Sequence, residues 1–189
     1  MKYFLLLYPI REYIEVFLGG FPPSVVKRTE RQFRTLVRER YRRQGFRIAL
    51  VFFSSAQDPT YPDVNQKWEG ISIHQEDVLV PAGVDFKTHC QKHIYPKESA
   101  ILSFLQPPIE ELVIGGFHFW DCVEKMARYA FKQGIPVSVD EDLTELGMGL
   151  RRIPISRKES LRQFVEQVPG YLRELIEDKR KTRPWLLRL

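Results

Sequence analysis

The segment that most constrains the fold of this chain is a strand, a helix and a strand in direct succession between residues 111 and 139. An apolar run that ends in two glycines, Glu111 to Gly116, predicts a buried strand. A helical pattern over residues 121–133 follows, Gly134 stops it, and residues 136–139 predict the next strand. Such a unit of about 30 residues is a βαβ crossover, which is right-handed in nearly all proteins. The chain is therefore predicted to contain a parallel sheet.

The rest of the chain supplies further strands and helices. Apolar runs at residues 3–8 and 47–53 predict buried strands. The remaining predictions are a loop after residue 8 that extends through Pro23, a helix over 24–44, a long loop over 54–70, strands over 71–80 and 84–92, and helices over 99–105, 157–168 and 171–181. Strands that alternate with helices predict an α/β fold, a three-layer α/β/α sandwich with a central, mostly parallel sheet. Residues 1–189 are predicted to form one domain.

Cysteine content and hydropathy limit the compartment and the partners. The two cysteines, Cys90 and Cys122, are too few for a disulfide framework and lack metal-site spacing, which favours a reducing, cytoplasmic setting. No stretch approaches the ~20 apolar residues of a membrane span. The short apolar start lacks the features of a signal peptide and is predicted to be a strand. We expect a small-molecule ligand or substrate, no cofactor, no metal and no membrane partner.

The net charge of +5 arises mainly from residues 27–43 and 179–188. Apolar positions recur at helical spacing in the first stretch, so its arginines are interpreted as the solvated face of a packed helix. Binding of nucleic acid is the weaker alternative, because no aromatic residues are interleaved with the basic ones. Residues 171–189 are predicted to form a helix and a basic tail with exposed apolar groups, Trp185 to Leu187. Those groups predict contacts in a homo-oligomer.

Cys122 is the residue that points most directly to chemistry. It follows the strand of residues 111–116 at the start of a helix, and ligands of parallel sheets bind beyond the carboxyl ends of the strands. A helix N-terminus favours the thiolate form. A structural cysteine packed under the helix is the alternative interpretation.

Residues 111–144 resemble the signature of the isochorismatase-like cysteine hydrolases, the family of nicotinamidases and N-carbamoyl amidohydrolases. The residues in register are Gly116, Cys122, Val123, Ala127, Ala130, Phe131, Gly134, Glu141 and Asp142. The resemblance implies a Rossmann-like, isochorismatase-like fold and hydrolysis of a small amide, imide or ester. In that family a cysteine attacks the substrate carbon, an aspartate takes the thiol proton and a lysine supports both.

Each of these roles is assigned by the resemblance to a position of this chain. Cys122 stands at the nucleophile position, and the lysine position falls on Lys92 or, as the alternative, on Lys97. The aspartate position falls on Pro9, which cannot accept a proton. Candidates for a substitute base are Glu12, Asp121 and His118, although Asp121 could equally be the helix N-cap.

Two further features depart from the family pattern. The metal-binding histidines are absent from residues 54–59. Phe119 stands in place of the motif threonine, so Phe119, Trp120 and Pro9 are expected to line the pocket. The family carries a cis peptide bond before that threonine. Whether the corresponding bond of this chain, between His118 and Phe119, is cis or trans does not follow from the sequence.

Two functions therefore remain. The first is a divergent cysteine hydrolase that uses Cys122 and Lys92, and the retained Cys-Val pair favours it. The second is a non-catalytic relative that serves as a ligand-binding or assembly module, and Pro9, Phe119 and the missing histidines favour it. Without a base, a thiol keeps a pKa near about 8.5 and is mostly protonated at neutral pH.

Overall fold

A computed structural model, which describes residues 1–145 and 152–188, shows a five-stranded sheet whose paired strands all run parallel. The strands are β1 (Lys2–Leu7), β2 (Arg47–Phe52), β3 (Val78–Pro81), β4 (Glu111–Gly116) and β5 (Val137–Thr144). Their order across the sheet is β3-β2-β1-β4-β5. Three of them, β1, β2 and β4, are buried from their second residue onward, as expected of strands covered on both faces.

Helices cover both faces of this sheet, which confirms the predicted three-layer α/β/α architecture. They are α1 (Arg11–Leu18), α2 (Pro23–Arg40), α3 (Phe86–Lys92), α4 (Glu98–Leu102), α5 (Glu124–Lys132), α6 (Arg157–Gln167) and α7 (Gly170–Thr182). The chain runs outward from β1 to β3 on one side and from β4 to β5 on the other. Right-handed crossovers in opposite directions place their helices on opposite faces. None of the described helices combines the length and the apolarity needed to cross a membrane.

The point where the chain direction reverses lies between β1 and β4. The end of β4 lies very close to the end of β1, because a Cβ atom at Gly116 would sit 2.0 Å from the carbonyl oxygen of Leu7. Gly116 also has φ of +112°, which only glycine adopts readily. This close approach places the turn after β4 beside the residues that follow β1. In a sheet of this type, that crevice is the usual ligand site.

Several segments differ from the sequence-based predictions. Residues 11–18 form α1, where a loop was predicted. The strand predicted over residues 84–92 is wrong, because the segment contains helix α3, whose N-cap Asp85 accepts a hydrogen bond from the backbone N–H of Thr88 at 2.9 Å. The strand predicted over 71–80 is limited to β3, and the last strand of the βαβ unit extends to Thr144.

The C-terminal tail packs against its own chain. Trp185 and Leu186 are only 5% and 4% exposed. The backbone N–H of Val139 in β5 donates to the carbonyl of Trp185 at 2.9 Å, so the tail continues the free edge of the sheet. The prediction that these two side chains are exposed is therefore wrong. The large apolar residues that α7 leaves exposed are Tyr171, Leu172 and Leu175, at 73%, 37% and 51%.

Candidate functional site

Cys122 lies in a π-helical turn, Phe119–Val123, between β4 and α5. Its side chain borders a small cavity at the carboxyl ends of β1 and β4. Other residues that line this cavity are Leu7, Tyr8, Tyr95, Glu98, Ile101 and Lys125. The centre of a water-sized sphere can reach a volume of only about 10 Å³ in this cavity, which is close to the minimum for one water molecule. The predicted cysteine therefore stands at the predicted edge of the sheet, in a cleft that is almost filled.

The surroundings of Cys122 favour the protonated thiol. Burial, and next the carboxylate of Asp121, raise the pKa of Cys122 to about 12, against the lowering effects of Lys125 and a backbone hydrogen bond from His118. Its Sγ lies 4.0 Å from Oδ2 of Asp121, which accepts from the thiol. Because the thiolate is the nucleophile, a thiol in this state reacts poorly at neutral pH.

Lys125 is a site residue that the sequence analysis missed. Its Nζ lies 2.6 Å from Oδ1 of Asp121 and 3.4 Å from the centre of the Tyr95 ring. A thiol, a carboxylate and an ammonium thus adjoin within one helical turn. The i,i+4 spacing of Asp121 and Lys125 is the signal that could have found this pair.

Tyr8 occupies the end of β1 beside the thiol. Its backbone has φ of 51°, a left-handed conformation that is rare for a residue with a side chain. The ring is 2% exposed and stacks on Phe53 with 4.6 Å between ring centres. Burial, and next Cys122, raise the pKa of Tyr8 well above its usual value, so the phenol stays neutral. The end of β1 therefore presents a neutral phenol to the cavity and no ionised acid.

Pro9 is buried on the other side of this chain segment. Its carbonyl oxygen accepts a hydrogen bond from the backbone N–H of Trp68 at 2.9 Å, and Pro9 is not among the residues that line the Cys122 cavity. From the sequence, Pro9 was expected to line the pocket. The structure places Tyr8 there, because the left-handed turn at Tyr8 redirects the chain.

Neither lysine that the resemblance singled out lines the cavity. Lys92 is exposed at the end of α3, and Lys97 is exposed just before α4. The acid of this segment, Glu98, does line the cavity. Tyr95 and Pro96, together with Glu98 at the start of α4, therefore border the cavity of the thiol where a lysine was expected.

The proposed substitute bases are scattered. Asp121 alone reaches Cys122 through its side chain. Nδ1 of His118 lies 3.6 Å from Oε2 of Glu145, and the ring packs on Tyr13 with 4.6 Å between centres. Glu12 lies on α1, outside the cavity, and none of the described residues gives its buried Oε2 a hydrogen-bond partner. The cis peptide bond joins Phe117 and His118, one residue before the bond that the family pattern indicates.

Phe119 and Trp120 face away from Cys122, toward the C-terminal segment. Phe119 is 2% exposed, and its ring centre lies 4.2 Å from that of Trp120. Nζ of Lys179 on α7 lies 4.0 Å from the centre of the Trp120 ring, and Arg183 lies 5.3 Å from it. These two aromatic residues therefore attach the C-terminal segment to the turn. Within residues 1–145 and 152–188, no three potential metal ligands lie close enough to hold an ion.

A second polar region lies on β5, around the Glu141-Asp142 pair of the family signature. Nη1 of Arg40 lies 2.9 Å from both carboxylate oxygens of Asp140 and 2.8 Å from Oδ2 of Asp142. Asp140 also accepts a hydrogen bond from Tyr41 at 2.5 Å. These side chains are buried, so they form an internal ion cluster that joins α2 to β5.

Glu141 lies beside this cluster and pairs with the C-terminal helix. Nη2 of Arg180 lies 2.9 and 2.7 Å from the two carboxylate oxygens of Glu141. Burial raises the pKa of Glu141 to about 7, although Arg180 opposes the shift. The acids of the signature thus hold the fold together at β5, at a distance from the cavity of Cys122, which none of them lines.

Fold and site together define a doubly wound α/β protein with a buried cysteine at its switch point. No known family model matches the chain, and no curated protein matches it. Similar solved structures include the pyrazinamidase of Pyrococcus horikoshii in complex with zinc, at 14% identity over 86% of this chain and 93% of that one, with a TM-score of 0.49. They also include N-carbamoylsarcosine amidase from Thermoplasma acidophilum, at 17% identity over 86% of this chain and 91% of that one, with a TM-score of 0.47.

A third similar structure is a cysteine hydrolase from Pseudomonas syringae pv. phaseolicola, at 13% identity over 88% of this chain and 85% of that one, with a TM-score of 0.48. Other similar structures carry the name isochorismatase or isochorismatase family protein.

Proposed function

We propose that this protein is a non-catalytic relative of the cysteine hydrolases, in which Cys122 is a packing residue and the domain serves as a ligand-binding or assembly module. The observation that supports this proposal is the state of the thiol, whose pKa is raised to about 12 by burial and by Asp121. At pH 7 such a thiol is ionised to about one part in 10⁵. A nucleophile so rarely ionised supports little acyl transfer.

The shape of the cleft supports the same proposal. A substrate carbonyl has to come within about 3–3.5 Å of the sulfur with room for its substituents. The cavity at Cys122 leaves only about 10 Å³ to the centre of a water-sized sphere, because Tyr8 and Tyr95 border it. A packed cysteine needs no such room, since a buried thiol behaves as a small apolar side chain.

Alkylation of the two cysteines tests the proposal within one molecule. Cys90 is exposed and Cys122 is buried, so each native protein carries its own comparison. With iodoacetamide between pH 7 and pH 9, we expect Cys90 to react at least about tenfold faster than Cys122, as measured by peptide mass spectrometry. In urea the two rates should become similar. Faster labelling of Cys122 than of Cys90 in the native protein at pH 7 would contradict a packing role.

One arrangement favours a second candidate function, a hydrolase of a small amide, imide or ester. Asp121 lies 4.0 Å from the thiol sulfur and 2.6 Å from Lys125, so one helical turn holds a nucleophile, a potential base and a cation. In this alternative Asp121 takes the thiol proton, as the family aspartate does, and Lys125 holds the carboxylate in place. In this alternative the cleft around Tyr8 and Tyr95 has to open before a substrate can enter.

Asp121→Asn separates the two candidates by the sign of its effect. If Cys122 is a packing residue, the carboxylate only disfavours the thiolate, so the variant lowers the pKa of Cys122 and speeds its alkylation. If Asp121 is a base, the variant slows alkylation and removes any turnover of an amide, imide and ester panel. Asp178→Asn is the matched control, because Asp178 also pairs with a lysine, Lys181, at 2.7 Å, but on α7.

The assembly role proposed for the domain would use the exposed face of α7. Tyr171 and Leu175 remain exposed there although the tail beyond them is packed. We propose a cytoplasmic homo-oligomer that buries this face. Leu175→Lys should then reduce the sedimentation coefficient to that of a single chain, whereas Lys158→Glu on α6 should not. If the natural protein and the Leu175→Lys variant both sediment as single chains, this interface is excluded.

A further inference from the structure

A large cavity that the site around Cys122 does not include lies on the opposite face of the sheet. Successive strand residues point to opposite faces, and Leu7 borders the Cys122 cavity while Leu6 borders this one. The centre of a water-sized sphere can reach about 430 Å³ of it, within the usual size of small-molecule sites. Its deepest part is an apolar floor formed by Leu6, Ile48 and Leu50 of the first two strands, which are at most 2% exposed, and Val37 and Ile71 also line it. Helix α2 and the segment before β3 form the walls.

The rim of this cavity is positively charged. Four arginines of α2 and the turn after it border the cavity, namely Arg31, Arg34, Arg38 and Arg42, and the residues that line it include no carboxylate. Arg42 pairs with Asp77 at 2.6 Å, and Arg38 pairs with Glu39 at 2.7 Å. Those two charges are therefore compensated from outside the cavity.

Neither of the other two guanidinium groups forms an ion pair with a described residue. Nη1 of Arg34 donates to the backbone carbonyl of Glu69 at 2.5 Å, which is a neutral acceptor. Arg31 has no ion pair with any residue that the structure describes. Arg31 and Arg34 are three positions apart, so they lie on the same side of α2. Two guanidinium groups that form no ion pair with a described residue, at the mouth of an apolar cavity, provide a natural site for a carboxylate, a phosphate or a sulfonate group.

We propose that this cavity binds an organic anion whose charged head contacts Arg31 and Arg34 and whose apolar body lies against Leu6, Ile48 and Leu50. The proposal goes beyond the role of Cys122 and does not depend on it, because the two cavities lie on opposite faces of the sheet. A small anion with an apolar body fits better than a nucleic acid. The lining holds no Phe, Tyr or Trp on which a base could stack, and a phosphate backbone makes no use of an apolar floor.

Calorimetric titration of the full-length protein with 1-naphthoate and with decanoate tests the proposal. Both probes carry one carboxylate, and their apolar bodies are flat and linear. We expect saturable binding of at least one of them, and binding at least about tenfold weaker for its neutral alcohol, 1-naphthalenemethanol or decanol, and for inorganic phosphate. Absence of saturable binding of both probes at millimolar concentration overturns the proposal. Phosphate that binds as tightly as the better probe also overturns it, because the floor would then contribute nothing.

Two variants, one on α2 and one in the turn after it, locate the site. Arg31→Gln with Arg34→Gln should weaken the better probe at least about tenfold, because each guanidinium makes charge-assisted hydrogen bonds to the head. Arg43→Gln removes a charge that does not line the cavity and should change the affinity less than about twofold. Circular dichroism and urea unfolding confirm that the variants fold.

The remaining outcomes decide against the proposal. Equal weakening by Arg43→Gln means a diffuse charge effect. Thr35→Trp should block the cavity wall and abolish probe binding, and unchanged binding in this variant places the probe elsewhere. A heparin fragment that binds more tightly than both probes, and equally well to the Thr35→Trp variant, identifies a polyanion surface instead.

Discussion

The two polar regions at neighbouring strand ends, the cluster on β5 and the turn around Cys122, differ in how their charges are satisfied. On β5 the buried guanidinium of Arg40 meets two carboxylates at 2.8–2.9 Å, and Tyr41 donates to one of them. At the turn, the charged pair of Asp121 and Lys125 remains partly exposed, and the buried group is a neutral thiol. Perturbed ionisable groups often mark active sites. Here the buried charges join α2 to β5, and the shift at the expected nucleophile favours its neutral form.

Breaking the β5 cluster should have the largest effect on stability. Arg40→Met removes the buried guanidinium that pairs with both Asp140 and Asp142, and removal of one partner from a buried pair costs about 3–5 kcal/mol. Urea unfolding measures this loss. Arg43→Met is the control, because its partner Glu39 sits at the surface and Arg43 is 64% exposed, so we expect a change near the error of the measurement. Similar losses for both variants would mean that the cluster is not structural.

Glu141 makes the same region sensitive to pH. Its pKa is raised from 4.5 to about 7 in the folded protein, so folded molecules bind more protons than unfolded ones between these values. Stability is therefore highest below pH 4.5 with respect to this group and falls as pH rises through 7. The fall should be about 3 kcal/mol larger for the natural protein than for Glu141→Gln between pH 4.5 and pH 8. The comparison is made by urea unfolding at each pH.

Glu159→Gln is the matched control for this pH dependence. Hydrogen bonds from Arg162 and Gln163 lower the pKa of Glu159, so its ionisation is complete below the window in which Glu141 titrates. The slope of stability against pH should remain that of the natural protein in this variant. A natural protein without a downward slope between pH 5 and pH 8 would show that Glu141 is not held partly protonated.

The same contrast explains what the sequence could predict. Strands β1, β2 and β4 are buried on both faces, so their apolar runs are local signals, and the position of Cys122 follows from the βαβ unit. The Arg40–Asp140 contact joins residues 100 positions apart and carries no local pattern. Cys122 and the two tyrosines beside it, Tyr8 and Tyr95, come from three separate segments of the chain. The left-handed turn at Tyr8 places the Tyr8 ring beside the thiol, and no local sequence pattern predicts this turn.

Helices α1 and α3 show a second limit of the sequence. Both are short, and short helices have too few turns for their apolar spacing to stand out from a loop or a strand. For α3 the N-cap Asp85 was a usable signal, which the strand prediction for residues 84–92 overlooked. Lys92 fails to reach the cysteine because of this helix, since it stands at the exposed end of α3.

Removal of the thiol should have a moderate effect, smaller than either change on β5. Cys122→Ala deletes one buried sulfur atom and leaves a small cavity, which costs about 1 kcal/mol. The loss is read from urea unfolding, with Cys90→Ala as the exposed control that should change stability little. A fully stable Cys122→Ala protein that has lost an activity of the natural protein would instead assign the residue to catalysis.

Lys125→Met should have the smallest effect on stability. The variant mainly tests the reactivity of the Cys122 thiol. Lys125 is 46% exposed, so loss of its contacts with Asp121 and Tyr95 should cost below about 1 kcal/mol after solvent screening. Its charge lowers the pKa of Cys122, so the variant should slow alkylation of Cys122 at pH 9 while leaving Cys90 unchanged. Together with faster alkylation in Asp121→Asn, this result would show two opposed charges acting on a passive thiol. Slower alkylation in both variants would instead mean that the carboxylate and the ammonium act together, which is the behaviour of a catalytic site.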